Sequence, residues 1–172
     1  FSGTAEITLR VDAPTRVVVL HARSINITAA RAVAPEAIAA QHSRRHAHGG
    51  RNDPAELVLV FDRPLPQGEA RVEIAFDGAW GDDLQGLYRA RVGDDWYAVT
   101  DFEPSDARRA FPCFDEPSAK IPFTIELRTP RGITALSNMP ETGHADEGDR
   151  TVWRFAETPP TSTYLVAFVV GP

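Results

Sequence analysis

Alternation of apolar and polar residues is the feature that most constrains how this chain can fold. It is clearest in residues 7–11, 70–77 and 121–128, where apolar side chains stand two positions apart. Successive side chains of a β-strand point to opposite faces of its sheet, so the pattern is typical of strands with one buried face. Residues 17–20 and 57–61 are continuous apolar runs instead, as are residues 164–170. We expect these three runs to be strands buried on both faces.

Turn-forming residues separate the predicted strands. Gly93-Asp94-Asp95 lies between two strand-like stretches, residues 88–92 and 96–100, and predicts a tight hairpin. Two segments rich in His, Gly, Asp, Asn and Arg, residues 41–54 and 140–150, are expected to be exposed loops.

Helix signal is scarce. Residues 105–111 could form one or two turns before Pro112 ends them. Residues 29–40 are rich in Ala, but Pro35 and the lack of an apolar stripe favour an irregular strand. We therefore expect an all-β chain, an antiparallel β-sandwich of about ten strands with at most one short helix.

Length and charge limit the classes of function. A chain of 172 residues is most simply one domain. The net charge of −6 argues against nucleic acid as a partner, because phosphate binding requires a basic surface.

No apolar run approaches the roughly 20 residues that a membrane helix needs. The single Cys113 excludes an internal disulfide, and no signal peptide pattern follows Phe1; both favour a cytoplasmic location.

The histidines and the cysteine are the first candidates for chemistry. His42 and His46 have the spacing of a zinc-binding pair on a helix, and His48 could share a face with them on a strand. The zinc-protease motif has Glu directly after its first His, where this chain has Ser43, so a polar surface loop is the alternative. His21 and His144 lack local partners. Cys113 stands between Pro112 and Phe114, which indicates a buried structural thiol rather than a nucleophile.

Carboxylates provide the other candidate. Residues 100–117 read Thr-Asp-Phe-Glu-Pro-Ser-Asp-Ala-Arg-Arg-Ala-Phe-Pro-Cys-Phe-Asp-Glu-Pro. If the strand that begins near Trp96 runs on to Glu103, Asp101 and Glu103 share a face, about 6.6 Å apart along the chain. Phe102 would then point to the core. The alternatives are a cation near the two carboxylates or simply a solvated strand end. Arg108 and Arg109 are expected to form ion pairs with nearby carboxylates.

This segment closely resembles the N-terminal domain of the M1 zinc aminopeptidases, the aminopeptidase N-like family. Residues 136–140, Leu-Ser-Asn-Met-Pro, and residues 161–168, Thr-Ser-Thr-Tyr-Leu-Val-Ala-Phe, are similar to two further motifs of that family. Gly86-Leu87-Tyr88 resembles its Gly-Phe-Tyr. The resemblance implies that residues 1–172 are a β-saddle domain that packs over a thermolysin-like catalytic domain in a larger enzyme.

The resemblance also implies where the chemistry is. In the family, the catalytic domain carries zinc on His-Glu-x-x-His and a later Glu, and a Gly-x-Met-Glu-Asn loop grips the substrate. None of these motifs occurs in this sequence. We therefore expect no catalytic residue, no metal ligand and no cofactor in this chain, with zinc bound by the catalytic domain of the intact enzyme.

Two residues of this chain match family positions that contact peptide substrates. Glu103 matches the Glu that binds the substrate's free α-amine. Asp101 stands where many members have Gln, lining the pocket for the first side chain. Its charge favours either a basic first residue or a divalent cation that recruits an acidic one. The alternatives for the whole chain are a non-catalytic scaffold with M1 architecture and a free-standing β-sandwich interaction module.

Overall fold

The computed structural model describes residues 1–46, 55–81 and 83–172, and it consists mainly of antiparallel β-strands. The all-β fold class predicted from the sequence is therefore confirmed. Two single-turn 3₁₀ helices lie at Ala107–Arg109 and Thr163–Leu165. The described residues form thirteen strands: β1 (Ser2–Val11), β2 (Thr15–His21), β3 (Ile25–Ala34), β4 (Ile38–Arg45), β5 (Glu56–Leu65), β6 (Gly68–Gly78), β7 (Gly86–Val92), β8 (Asp95–Asp101), β9 (Glu126–Pro130), β10 (Thr134–Ser137), β11 (Glu141–Glu147), β12 (Arg150–Phe155) and β13 (Phe168–Gly171).

The chain divides into two compact units. The first contains residues 1–79 together with residues 108–114, and the second contains residues 80–107 and 115–172. The segment singled out in the sequence, residues 100–117, therefore contributes to both units.

The first unit is a six-stranded sheet with the order β1-β6-β3-β4-β5-β2. Its strands alternate between a buried and an exposed side, as the period of two predicts for residues 7–11 and 70–77. Phe111 and Phe114 pack against the resulting core from the returning segment. Fully buried side chains of this core include Leu20, Leu57, Leu59, Phe61, Leu65, Val72 and Ile74.

The prediction that residues 17–20 and 57–61 are buried on both faces is wrong. In β5 the buried side chains alternate with outward ones, and Val60 is 40% exposed. Val17, its register partner in β2, is 45% exposed. Both runs are half-buried strands whose outward positions also carry valine, because β-branched side chains suit a pleated surface on either face.

The Ala-rich segment was expected to be one irregular strand, and the structure resolves it into β3 and β4. The two strands pair through Arg31 with Ala39 and Ala32 with Ile38, on either side of Pro35. β4 then continues to Arg45, so the loop predicted for residues 41–54 is wrong for its first five residues. Residues 47–54 of that loop lie outside the described residues.

The second unit contains a four-stranded sheet, β10-β13-β8-β7, and a three-stranded sheet, β11-β12-β9. The hairpin predicted at Gly93 is confirmed: Val92 pairs with Asp95, and Gly93 has a φ of 63°. A positive φ at the first central residue is the reason that glycine is favoured in a two-residue hairpin loop.

Two other predictions for the second unit are wrong. Residues 140–150 are not a loop, because β11 pairs with β12 around a two-residue turn at Gly148. Residues 164–170 are not one buried strand, since a 3₁₀ turn ends at Leu165 before β13 begins. For residues 121–128 the alternation is present, but regular pairing begins only at Glu126; Ile121 forms an isolated bridge with Thr161.

Candidate functional site

Asp101 is the last residue of β8, and its side chain is exposed. Its backbone pairs with Gly86 of β7, which is the final pair of that ladder. The sequence had suggested that this strand could run on to Glu103, but it ends at Asp101. Residues 103–106 form a turn that leads into the first 3₁₀ helix. Pro104, which cannot donate a ladder hydrogen bond, follows Glu103 through a cis peptide bond.

Phe102 lies between the two carboxylates and is buried, as predicted. It is 2% exposed, and its ring meets the ring of Phe168 edge to face at 6.3 Å between centroids. The Phe102 carbonyl accepts a 2.9 Å hydrogen bond from the amide of Asp106, which closes the turn around Glu103. The backbone on both sides of Glu103 is thereby fixed.

The side chains of Asp101 and Glu103 are both exposed, on either side of buried Phe102. Neither carboxylate has a hydrogen-bond or ion-pair partner among the residues that the structure describes. Two carboxylates that no protein cation neutralises attract a cationic group from outside the chain. The negative charge of this pair is complementary to an ammonium, a guanidinium or a metal ion.

Thr100 is a residue of this site that the sequence reading did not single out. Its hydroxyl accepts a 3.0 Å hydrogen bond from the Phe168 amide and donates a 3.3 Å hydrogen bond to the Phe168 carbonyl. Residues 100 and 168 are far apart in sequence, and no local pattern brings them together. The signal that could have found this contact is that Phe168 ends the second of the two downstream motifs.

Most of residues 105–115 are buried or half-buried. Cys113 is a buried free thiol, as expected, and its backbone exchanges hydrogen bonds of 2.8 and 3.1 Å with His21 in β2. Arg108 and Arg109 are half-buried and each takes part in an interaction, while their predicted carboxylate partners stay a prediction. Ala110 and Pro112 are buried as well. This part of the segment is a structural element of the fold.

The downstream motifs meet at a small groove. Asn138 accepts a hydrogen bond of 2.7 Å from the Ala167 amide and donates one of 2.9 Å to the Leu165 carbonyl, so its amide joins the two segments. A cavity of about 240 Å³ lies beside this junction, lined by Asn138, Met139, Thr158, Pro159, Pro160, Thr161 and Leu165.

The histidines do not form a metal centre within the described residues. His42 lies in β4 and His46 directly after it, both exposed, while His48 lies outside the described residues. His144 is not a loop residue without partners: it lies in β11, its Nδ1 is 2.7 Å from the Glu141 carboxylate, and its ring stacks on Trp153 at 4.5 Å.

Zinc requires three or four nitrogen, sulfur or oxygen donors around one point. No group of three His, Cys, Asp or Glu residues in the described part of the chain is placed to hold a metal ion. The described residues therefore do not provide a ligand set for the zinc that the sequence resemblance implies for the intact enzyme. In the same ranges, no helix has the length and apolar character that a membrane crossing requires.

The family model described as the Peptidase M1 N-terminal domain matches residues 1–165. The chain belongs to this family. Aminopeptidase M1-A of Oryza sativa subsp. japonica is 40% identical over 177 residues, and Aminopeptidase M1 of Arabidopsis thaliana is 38% identical over 186 residues. Aminopeptidase N of Bos taurus is 34% identical over 195 residues.

These matches cover nearly all of this chain but only a small part of each relative. Each covers 99% of this M1 N-terminal domain but only 19–20% of the relative. The chain therefore spans about a fifth of the length of the curated relatives that it matches. The resemblance inferred from the motifs in residues 86–170 is confirmed, and it extends to the N-terminal strands, which carry no sharp motif.

Proposed function

We propose that this chain is the N-terminal domain of a zinc aminopeptidase and that it binds the amino terminus of peptide substrates. Membership of the M1 N-terminal family and the names of its relatives support this role. The metal site would lie in a part of the intact protein outside this chain, where zinc supplies an activated water for peptide hydrolysis. On this proposal the chain alone has no peptidase activity.

Glu103 would bind the α-ammonium of the substrate. Its carboxylate is exposed, lacks a partner in the described structure and projects from a turn whose backbone is fixed at Phe102. A carboxylate and an ammonium form a charge-assisted hydrogen bond, roughly twice as strong as a neutral one. Holding the amino terminus at a set place lets only the first peptide bond reach the reaction centre, which makes the enzyme an exopeptidase.

Asp101 would line the pocket for the first side chain. It is exposed at the end of β8, two residues from Glu103. In one version of this proposal Asp101 pairs directly with a Lys or Arg side chain of the substrate. In the other it holds a divalent cation such as Ca²⁺, whose preferred ligands are carboxylate oxygens, and the cation then recruits an acidic side chain.

The same sheet face that presents Asp101 would contact the rest of the intact protein. Residues 97, 99 and 101 share one face of β8, because side chains alternate along a strand. The cross-strand partners of these residues extend the face over the four-stranded sheet. We call this surface the apolar face, and its apolar side chains are Tyr88, Ala90, Val92, Tyr97, Val99, Leu136 and Val169.

The most exposed side chains of the apolar face are Val92 at 66%, Leu136 at 63% and Val169 at 37%. On the opposite face Leu87 is 7% and Ala135 is 2% exposed, although Trp96 on that face is 55% exposed. Contiguous exposed apolar surface is typical of an interaction site. Since the relatives are about five times as long as this chain, the proposed occupant is the catalytic domain of the same polypeptide. Its contact here would bring the reaction centre beside Asp101 and Glu103.

Glu103→Gln in the intact protein tests the function. The substitution keeps the shape but removes the charge, so we expect kcat/KM for unblocked aminoacyl substrates to fall by about 10- to 100-fold. Glu116→Gln, an exposed carboxylate of the same segment, is the matched control and should leave kcat/KM unchanged. An intact protein without peptidase activity would favour the scaffold alternative instead. Equal effects of the two substitutions would exclude Glu103 as the amine-binding residue.

A further inference from the structure

The Thr100 hydroxyl takes the place of a backbone pair between β8 and β13. The two strands pair through Ala98 with Val170 and Val99 with Val169, and continuing this register sets Thr100 opposite Phe168. There the Phe168 amide and carbonyl are both bonded to the Thr100 side chain, at 3.0 and 3.3 Å. Backbone polar groups must find partners, so the hydroxyl satisfies Phe168 where the backbone of β8 leaves β13.

Phe168 thereby holds the chain on both sides of Asp101. Thr100 precedes Asp101 and bonds to the Phe168 backbone, while Phe102 follows it and packs edge to face on the Phe168 ring. Across β8, the ladder with β7 continues through the Leu87–Thr100 and Gly86–Asp101 pairs. The Asp101 backbone is fixed from two strands while its side chain stays exposed.

We propose that Thr100 is a positioning residue for the carboxylates of Asp101 and Glu103. The inference rests on the proposed function, in which these carboxylates bind the substrate's amino terminus and first side chain. Charge-assisted hydrogen bonds need donor–acceptor distances of about 2.7–2.9 Å, so a small shift of the carboxylate weakens them. Thr100 touches no substrate and acts only through the backbone that it fixes.

Two substitutions in the intact protein separate the hydroxyl from the bulk of the side chain. Thr100→Val should raise KM for unblocked aminoacyl substrates about tenfold with little change in kcat, because binding to the ammonium is lost equally in ground and transition states. Thr100→Ser keeps the hydroxyl and should retain near-normal KM. Thr142→Val is the matched control, since the Thr142 hydroxyl also donates to a backbone carbonyl, that of Arg154 in the other sheet.

Combining Thr100→Val with Glu103→Gln decides between positioning and general stability. With no carboxylate charge at residue 103, and with a Leu substrate that does not use the charge of Asp101, the valine substitution should have little further effect on kcat/KM, so the two losses are not additive. Fully additive losses, or a Thr100→Val protein with unchanged KM, would overturn the inference while leaving the role of Glu103 intact. An unchanged kcat/KM in Glu103→Gln alone would overturn the proposed function, and this inference with it. If the valine variant does not fold, Thr100→Ala must show the same non-additivity.

Discussion

Thr163 donates a 2.6 Å hydrogen bond from its hydroxyl to the carboxylate of Asp115, and both residues are buried. Next to it, the Ser162 hydroxyl donates to the Pro117 carbonyl at 2.8 Å and accepts from the Lys120 ammonium at 3.2 Å. These contacts join the end of residues 100–117 to the 161–168 motif. Two sequence motifs that are far apart along the chain are thus joined by side-chain hydrogen bonds, of which the one between Thr163 and Asp115 is buried.

Thr163→Val should destabilise the protein. The change keeps the shape of the side chain but removes one hydrogen bond from a carboxylate that is 5% exposed. Leaving a buried acceptor short of a donor costs about 1–3 kcal/mol, and somewhat more for a charged group. Urea unfolding of the intact protein measures the loss, with exposed Thr142→Val as the control. Equal midpoints for the two variants would show that this hydrogen bond contributes no net stability.

Asp101→Gln should change which peptides the intact enzyme prefers. The substitution removes a charge from an exposed, unpartnered position and keeps the side chain hydrogen-bonding. If Asp101 pairs with a basic first residue, the ratio of kcat/KM for Arg over Leu substrates should fall by about tenfold. If Asp101 holds a cation, the ratio of kcat/KM for Glu over Leu substrates should instead depend on added Ca²⁺. This dependence should be seen in the unsubstituted protein and be lost in Asp101→Gln. Unchanged ratios under all conditions would refute the pocket assignment.

The strands were predictable from sequence where one face is polar and the other apolar. In β1 and β6 the period of two is complete, and the structure follows it residue by residue. The prediction failed for β11 because both of its faces are polar. This strand is paired through contacts that a local pattern does not contain, such as the His144–Trp153 stack and the ion pairs of Arg128 and Arg154 with Glu147.

Part of the site was equally predictable. Exposed Asp101 and buried Phe102 follow from alternation at the end of a strand, whereas Glu103 is exposed in the turn that comes after it. Thr100 was missed because its hydroxyl acts on a backbone 68 residues away. The sheet register that makes this contact is a tertiary property, and the sequence of residues 100–117 alone does not encode it.

Labelling of introduced cysteines tests the apolar face. Leu136→Cys should react slowly with a maleimide in the intact native protein, because the proposed catalytic domain covers residue 136. Val17→Cys is the matched control, since residue 17 is exposed in the other unit and is not on the apolar face. We expect at least a tenfold difference in labelling rate, as a buried thiol must wait for local opening. Equal rates would refute the interface, and protection that disappears on dilution would assign it to a second copy of the protein.

Gly171→Ala should disturb the four-stranded sheet beside the apolar face. A Cβ at residue 171 would lie 2.2 Å from a ring atom of Tyr97 on the neighbouring strand, closer than atoms can approach. The Tyr97 ring must move, and such overpacking costs about 1–3 kcal/mol. Melting temperatures of the intact protein would show the loss. Tyr97→Ala combined with Gly171→Ala is the decisive control: because the clash is then removed, adding the alanine at residue 171 should cost much less than in the parent sequence. An equal cost in both backgrounds would mean that the backbone at Gly171, rather than contact with Tyr97, requires glycine.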